Sequence, residues 1–252
     1  MAGKDGNRLA IARTDRGGPV LGNRWGHRIG DNPARWAGNL KELLPPPSKI
    51  KNSRNHPALQ IHDAPRWFRE VRAREGPGSR ALEFTALTAA RSREVRGAIW
   101  DEFDLDAGIW TIPATRMKMD REHRVPLSDA SMLIRQALPR FQENPLVFPA
   151  MRGGEMSDAT LAASMKRIHA ADLAAGREGF VDRVNKRPAV PHGLRSTFRD
   201  WVAEQTQYPG EMAKIALAHR VGNAVEAAYR RGDMIEKRRA MMADWSQFLQ
   251  SK

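Results

Sequence analysis

Residues 191–229 read PHGLRSTFRDWVAEQTQYPGEMAKIALAHRVGNAVEAAY. His192 and Arg195 stand three apart, a spacing that places both on one face of a helix, and His219 and Tyr229 follow a run of helix-forming residues. This inventory suits phosphate. Arginine presents a planar fork of donors matched to phosphate oxygens, histidine exchanges a proton near neutral pH, and tyrosine can act as a covalent nucleophile. Beyond Arg195 the spacing of Phe198, Trp201 and Val202 makes a core face, so Trp201 reads as packing rather than as a platform for a base. Pro209 reopens a helix predicted to run to His219. Gly222 ends it and Asn223 caps a further helix over 224–231 that carries Tyr229. In the last predicted helix, 236–249, Met241, Met242, Trp245 and Phe248 can dock on their own domain or on a neighbour.

Upstream, Asp63 or Ala64 before Pro65 opens a helix over 66–74 that stops at the GPGS turn. The text ALEFTALTAAR, 81–91, is too hydrophobic for anything but a buried helix. An arginine closing such a helix is costly unless it meets an anion, which marks Arg91; the alternative is a structural ion pair with Glu94 or another carboxylate. Three short antiparallel strands follow, near 103–105, 109–113 and 123–126, with turns at DLDAG and KMDRE. Lys118 lies at the second turn among Arg116, Arg121 and Arg124. Ser128 caps a helix to about Phe141 with Met132, Leu133, Ala137, Leu138 and Phe141 as its apolar stripe. Ser157 caps another through Ala175, with Leu161, Met165, Ile168 and Leu173 facing inward. The basic loop before His192 offers Arg183, Lys186 and Arg187 for phosphate contact. The fold class is therefore α+β, mainly α-helical, with a small three-stranded antiparallel sheet.

The chain of 252 residues carries a formal charge of +13, and residues 1–60 hold eleven Lys or Arg against four Asp or Glu. Such an excess reads either as a solvated surface or as affinity for a polyanion, nucleic acid first. With no cysteine, disulfides and thiolate metal sites are excluded, and the seven histidines form no ligand pattern. No apolar run is long enough to span a bilayer and no signal peptide is evident, so the expected location is the cytoplasm. Residues 1–29 read as a basic irregular arm. In 30–43, Asn32 as cap, Pro33 at the first turn and Trp36, Leu40 and Leu43 at helical spacing give one short helix, followed by a proline-rich basic linker. The predicted division is an arm over 1–29, a helix and linker over 30–58, and the main domain over 59–252.

Three blocks now stand in order: LTAARSREVRGAIWDEFDLD at 87–106, RMKMDREHRVPLS at 116–128, and the stretch at 191–229. Together they resemble the catalytic domain of the tyrosine recombinases, phage-type integrases of genomic islands in particular. GDNPARW at 30–36 resembles the last helix of the DNA-clamping domain that precedes catalysis in that family; the rest of that clamp is not found in the sequence. The resemblance implies a tyrosine recombinase catalytic-domain fold and DNA cleavage and rejoining through a 3′-phosphotyrosyl intermediate. Tyr229 matches the nucleophile, Arg91 and Arg195 the phosphate clamp, and Lys118 the general acid on the leaving 5′ oxygen. His192 fits a proton acceptor and His219 a donor to the phosphate. No metal or other cofactor is expected. The implied partners are double-stranded attachment-site DNA, further copies of the chain in a homotetramer that exchanges a C-terminal segment (236–249 here), and DNA-bending accessory proteins. Arg93 stands where the family usually has a small residue and could displace the Arg91 fork. Two other readings compete: an integrase remnant that binds DNA without cutting it, and a topoisomerase sharing this chemistry.

Overall fold

The computed structural model describes residues 12–14, 18–20, 55–219 and 232–251. The chain divides into two compact units, Met1–Asn55 and His56–Lys252. In the first, β1 (Ala12–Thr14) pairs antiparallel with β2 (Gly18–Val20), Ala12 opposite Val20. Sequence reading expected no regular structure there. Thr14 and Val20 are strand formers, but strands of three residues carry too little periodicity to be read. The helix expected over 30–43 lies outside the described residues.

The second unit begins by burying Pro57 and Leu59, a few residues ahead of the predicted boundary at 59. Pro65 then opens α1 (Ala64–Arg72), where its missing N–H costs nothing, and Trp67, Phe68 and Val71 face inward. The apolar helix α2 (Pro77–Thr88) runs through the core. It stops earlier than predicted: Thr88 Oγ1 bonds back to the Phe84 carbonyl at 2.7 Å, and Ala89 turns left-handed at φ 50°. Arg91 accordingly does not close the buried helix but caps the next, α3 (Ser92–Arg96).

The predicted sheet is present as β3 (Phe103–Asp104), β4 (Ile109–Ile112) and β5 (His123–Pro126), antiparallel in that order. Phe103 and Trp110 sit opposite one another in register and stack at 5.5 Å between ring centres, with Phe84 of α2 edge-on to Trp110. Helices α4 (Asp129–Ala137) and α5 (Asp158–Ala174) follow the predicted caps Ser128 and Ser157. Next come α6 (Gly193–Gln205), α7 (Gly210–Ala216) and α8 (Ile235–Leu249). The last helix packs on its own chain. Trp245 donates to the Ala86 carbonyl at 2.8 Å and lies in ring contact with Phe198 and Trp201. Trp201 is a core residue.

Four predicted core residues are exposed, Leu133, Ala137, Phe141 and Leu173. At the end of α5 the buried residue is instead Asp172. Its carboxylate takes hydrogen bonds from Arg66 and Arg177, each at 2.5 Å, and from the Gly179 N–H at 3.0 Å. Burial opposes the charge of Asp172, but the two arginines outweigh it and hold the carboxyl below its ordinary range. This stabilisation is present at neutral pH and disappears as the pH falls through the depressed value. Asp172→Asn should cost about 2 kcal/mol at pH 7, because Arg66 and Arg177 lose the buried carboxylate they share and keep only Asp63 and Glu70 as partners. A shift in urea midpoint that shrinks toward pH 3 would show it.

Candidate phosphate-binding active site

The site is set by how two helices end. After Ala216, Ala218 adopts a left-handed conformation at φ 48°, the Ala218 N–H bonds to the Ile215 carbonyl and the His219 N–H to the Lys214 carbonyl, both at 2.9 Å. This is a Schellman closure with alanine in the position that usually holds glycine. It brings α7 to its end at Ala216 rather than at the predicted His219. It also leaves the Leu217 carbonyl outside the helix ladder, and that oxygen accepts from both Arg195 Nη2 and Arg91 Nη2, the latter at 3.5 Å. The other helix end supplies a second acceptor. The left-handed turn at Ala89 presents its carbonyl to Arg195 Nη1 at 2.6 Å.

Arg91 is held by Glu94, whose carboxylate accepts from the Arg91 backbone N–H at 2.8 Å and from Nη1 at 2.6 Å. The ion pair offered as an alternative for Arg91 therefore exists, and it orients the guanidinium beside Arg195. Arg93 is exposed on α3 and is not the partner of Arg91. Arg195 is buried at 4 % exposure. Burial, and then the neighbouring charge of Arg91, lower its pKa to about 10. Each guanidinium has five N–H donors, and among the described residues neither spends more than three, so both retain donors for an anion.

His192 caps α6 at its N-terminal end, one turn from Arg195, and stays accessible to solvent. Its pKa is lowered to about 4, first by burial and then by the charges of His56, Arg195, Arg91 and His219. His219 Nε2 lies 3.5 Å from Arg195 Nη2. An arginine can only donate, so Nε2 holds the lone pair and the proton sits on Nδ1. Burial and the charges of Arg195, Arg91 and Arg199 lower the pKa of His219 as well.

Lys118 is exposed in the turn before β5 and, among the described residues, makes no hydrogen bond or ion pair. The hairpin carrying it is tied to the site by a residue that sequence reading placed only on a strand. His123 Nε2 donates to the Ala216 carbonyl at 3.1 Å, which fixes β5 against the end of α7. Burial, with Arg238 nearby, lowers the pKa of His123 to about 3, so it remains a neutral donor. No local pattern marks such a residue, because its partner is 93 positions away.

The basic residues expected to meet DNA divide. Arg121, Arg183, Lys186 and Arg187 are exposed. Arg124 is paired with Asp233 at 3.4 Å. Arg116 departs from the expectation: its guanidinium turns inward to Glu102 and the Glu94 carbonyl, bracing the residue that orients Arg91. Tyr229 lies outside the described residues, ten positions beyond His219. Tyr208 does not compete for its role in the described part of the chain, since its hydroxyl donates to Asp244 at 2.5 Å.

All three site-region histidines, at 123, 192 and 219, have pKa values below the ordinary 6.5 in the folded chain. The unfolded chain then binds more protons than the folded one as pH drops below 6.5, so stability is full above that value and declines toward pH 4. A lower urea midpoint at pH 5 than at pH 7.5 is expected; equal midpoints would contradict it.

No described helix is long and apolar enough to cross a membrane. The Phage integrase family profile matches residues 70–235. Prophage integrase IntA of Escherichia coli K12 is 33 % identical over 218 residues, covering 84 % of this chain and 48 % of that protein. The integrase of Enterobacteria phage P4 is 31 % identical over 213 residues, covering 78 % and 46 %. The chain thus spans about half the length of the curated relatives it matches. Among solved structures, the integrase from mycobacterium phage Brujita superposes with a TM-score of 0.53 at 16 % identity, over 76 % of this chain and 61 % of that one. A lambda integrase dimer bound to a COC′ core site gives 0.50 at 16 %, over 73 % and 50 %. These likenesses establish a shared fold. By the family match over most of its length, and with the helix ends and strands described above in place, the chain belongs to the phage integrase family.

Proposed function

We propose that the chain is the catalytic part of a site-specific DNA recombinase that integrates or excises a mobile element. The observation that carries this reading is the convergence of Arg91 and Arg195 on the Leu217 carbonyl, two guanidinium groups against one carboxylate in a largely buried corner. Like charges are brought together at a cost unless an anion completes the set, and a bridging phosphate is the anion that a fork of N–H donors fits.

In the proposed reaction the Tyr229 oxygen attacks the scissile phosphorus and its proton passes to neutral His192. The bond from phosphorus to the 5′ oxygen breaks, and Lys118 protonates that oxygen. Charge on the non-bridging oxygens is met by Arg91, Arg195 and the Nδ1 proton of His219. A 5′ hydroxyl from another strand reverses these steps and releases the tyrosine. Arg121, Arg183, Lys186 and Arg187 would hold the duplex through its phosphates. One structural relative, a lambda integrase dimer, was solved bound to a COC′ core site. Action on paired attachment sites would assemble four copies, with accessory proteins bending the DNA, at the nucleoid in the cytoplasm.

Nicked half-site DNA from the junctions of the host element, incubated with the protein and resolved on a denaturing gel, tests the reading. A slowly migrating covalent band is expected. DNA binding without any such band would favour a remnant that occupies DNA and does not cut it.

A further inference from the structure

His56 lies outside all three sequence blocks and outside the family match, yet it is in ring contact with His192. The ring centres are 4.3 Å apart and the planes tilted by 55°. The contact follows from how the next three residues are fastened. The Val190 N–H donates to the Pro57 carbonyl at 3.1 Å, the Ala58 N–H to Asp182 Oδ2 at 2.9 Å, and Thr197 Oγ1 to the Leu59 carbonyl at 2.7 Å. Asp182 is itself fixed by the backbone N–H groups of Val184 and Asn185, each at 2.9 Å. Gly193 completes the fit, because a Cβ there would lie 1.9 Å from the Pro57 carbonyl oxygen. Residue 57 is thereby locked onto the start of α6, and residue 56 has little choice but to sit over His192.

Both residues remain accessible to solvent, so the contact belongs to no core and adds little to stability. What it does is local. One face of His192 is covered, its rotamer freedom is reduced, and a second potential cation is set beside it. The groups facing His192 are His56 from the preceding segment, Arg195 from α6, Arg91 from the start of α3, and His219 after α7.

We propose that His56 is a positioning residue for His192, holding that imidazole in one orientation for transfer of the tyrosine proton. The inference rests on the recombinase reading given above and adds to it a residue acting through His192 rather than on DNA.

The test uses the full chain with His56→Ala and His56→Phe. One measurement is the NMR titration of the His192 ring. The other is the rate of covalent attachment to nicked half-site DNA across pH. His56→Ala should raise the His192 midpoint by about one pH unit, as the ring regains water and loses a like-charged neighbour. It should also lower the plateau attachment rate about tenfold through lost orientation. His56→Phe keeps a ring over His192 and should restore most of that plateau. DNA binding and thermal midpoint should be unchanged in both. An unchanged His192 titration in His56→Ala overturns the proposal, and so does equal impairment of the Ala and Phe variants, which would make the His56 imidazole itself the acting group. If the parent chain forms no adduct, the recombinase reading fails, and the titration alone still decides whether His56 governs His192.

Discussion

A Tyr229→Phe chain is expected to bind half-site DNA as the parent does and to form no covalent adduct at all. The substitution removes one oxygen and no charge, so the arginines proposed to clamp the phosphate are untouched while the proposed attacking atom is gone. The chain has two tyrosines, and the structure explains why the other does not substitute. Tyr208 is partly buried with its hydroxyl committed to Asp244, and burial together with that carboxylate pushes its pKa up to about 12. A phenol so held is a poor source of phenolate. Tyr208→Phe should therefore leave adduct formation intact, with only the small cost of one lost hydrogen bond, about 1 kcal/mol. An adduct that survives Tyr229→Phe and vanishes in Tyr208→Phe would transfer the nucleophile to Tyr208.

Arg195→Ala should reduce cleavage by about a thousandfold, the scale seen when a preorganised donor to a developing charge is removed. Binding should weaken far less, since the exposed cations proposed to meet the duplex are all kept. The variant also has a structural cost, because the Ala89 and Leu217 carbonyls lose the donor that satisfies them, about 1–3 kcal/mol. Arg195→Lys separates the two effects. A lysine keeps the charge but is a point donor and cannot span both carbonyls and a phosphate, so cleavage should remain at least about a hundredfold down while DNA binding recovers. Circular dichroism and DNA binding check that each variant is folded. Normal cleavage by a folded Arg195→Ala chain would remove Arg195 from the site.

Much of this was legible in the sequence because it depends on neighbours. Strand formers on either side of the turns DLDAG and KMDRE marked the sheet, the serines at 128 and 157 marked two helix starts, and the apolar run at 81–88 could only be core. What depended on distant partners was not legible. Asp172 rather than Leu173 turns inward because Arg66, 106 positions away, reaches its carboxylate. Arg116 looked like one more basic residue on a hairpin until Glu102 claimed it. The two left-handed alanines, 89 and 218, are the clearest case. Alanine gives no local sign that a helix will stop, and both stops are needed to aim the carbonyls that hold Arg195. His56 and His123 were missed for the same reason, each meeting the site through residues more than ninety positions away.

The clasp of residues 57–59 along α6 and the seating of Trp245 against Ala86 also bear on where this chain can be cut. A fragment trimmed to the family-matched span, 70–235, would discard Leu59, Trp67 and Phe68 at one end and Met241, Met242 and Trp245 at the other. All six belong to the one buried cluster that supports α2 and α6. The smallest piece that can retain both the site and a closed core therefore starts no later than His56 and ends no earlier than Leu249.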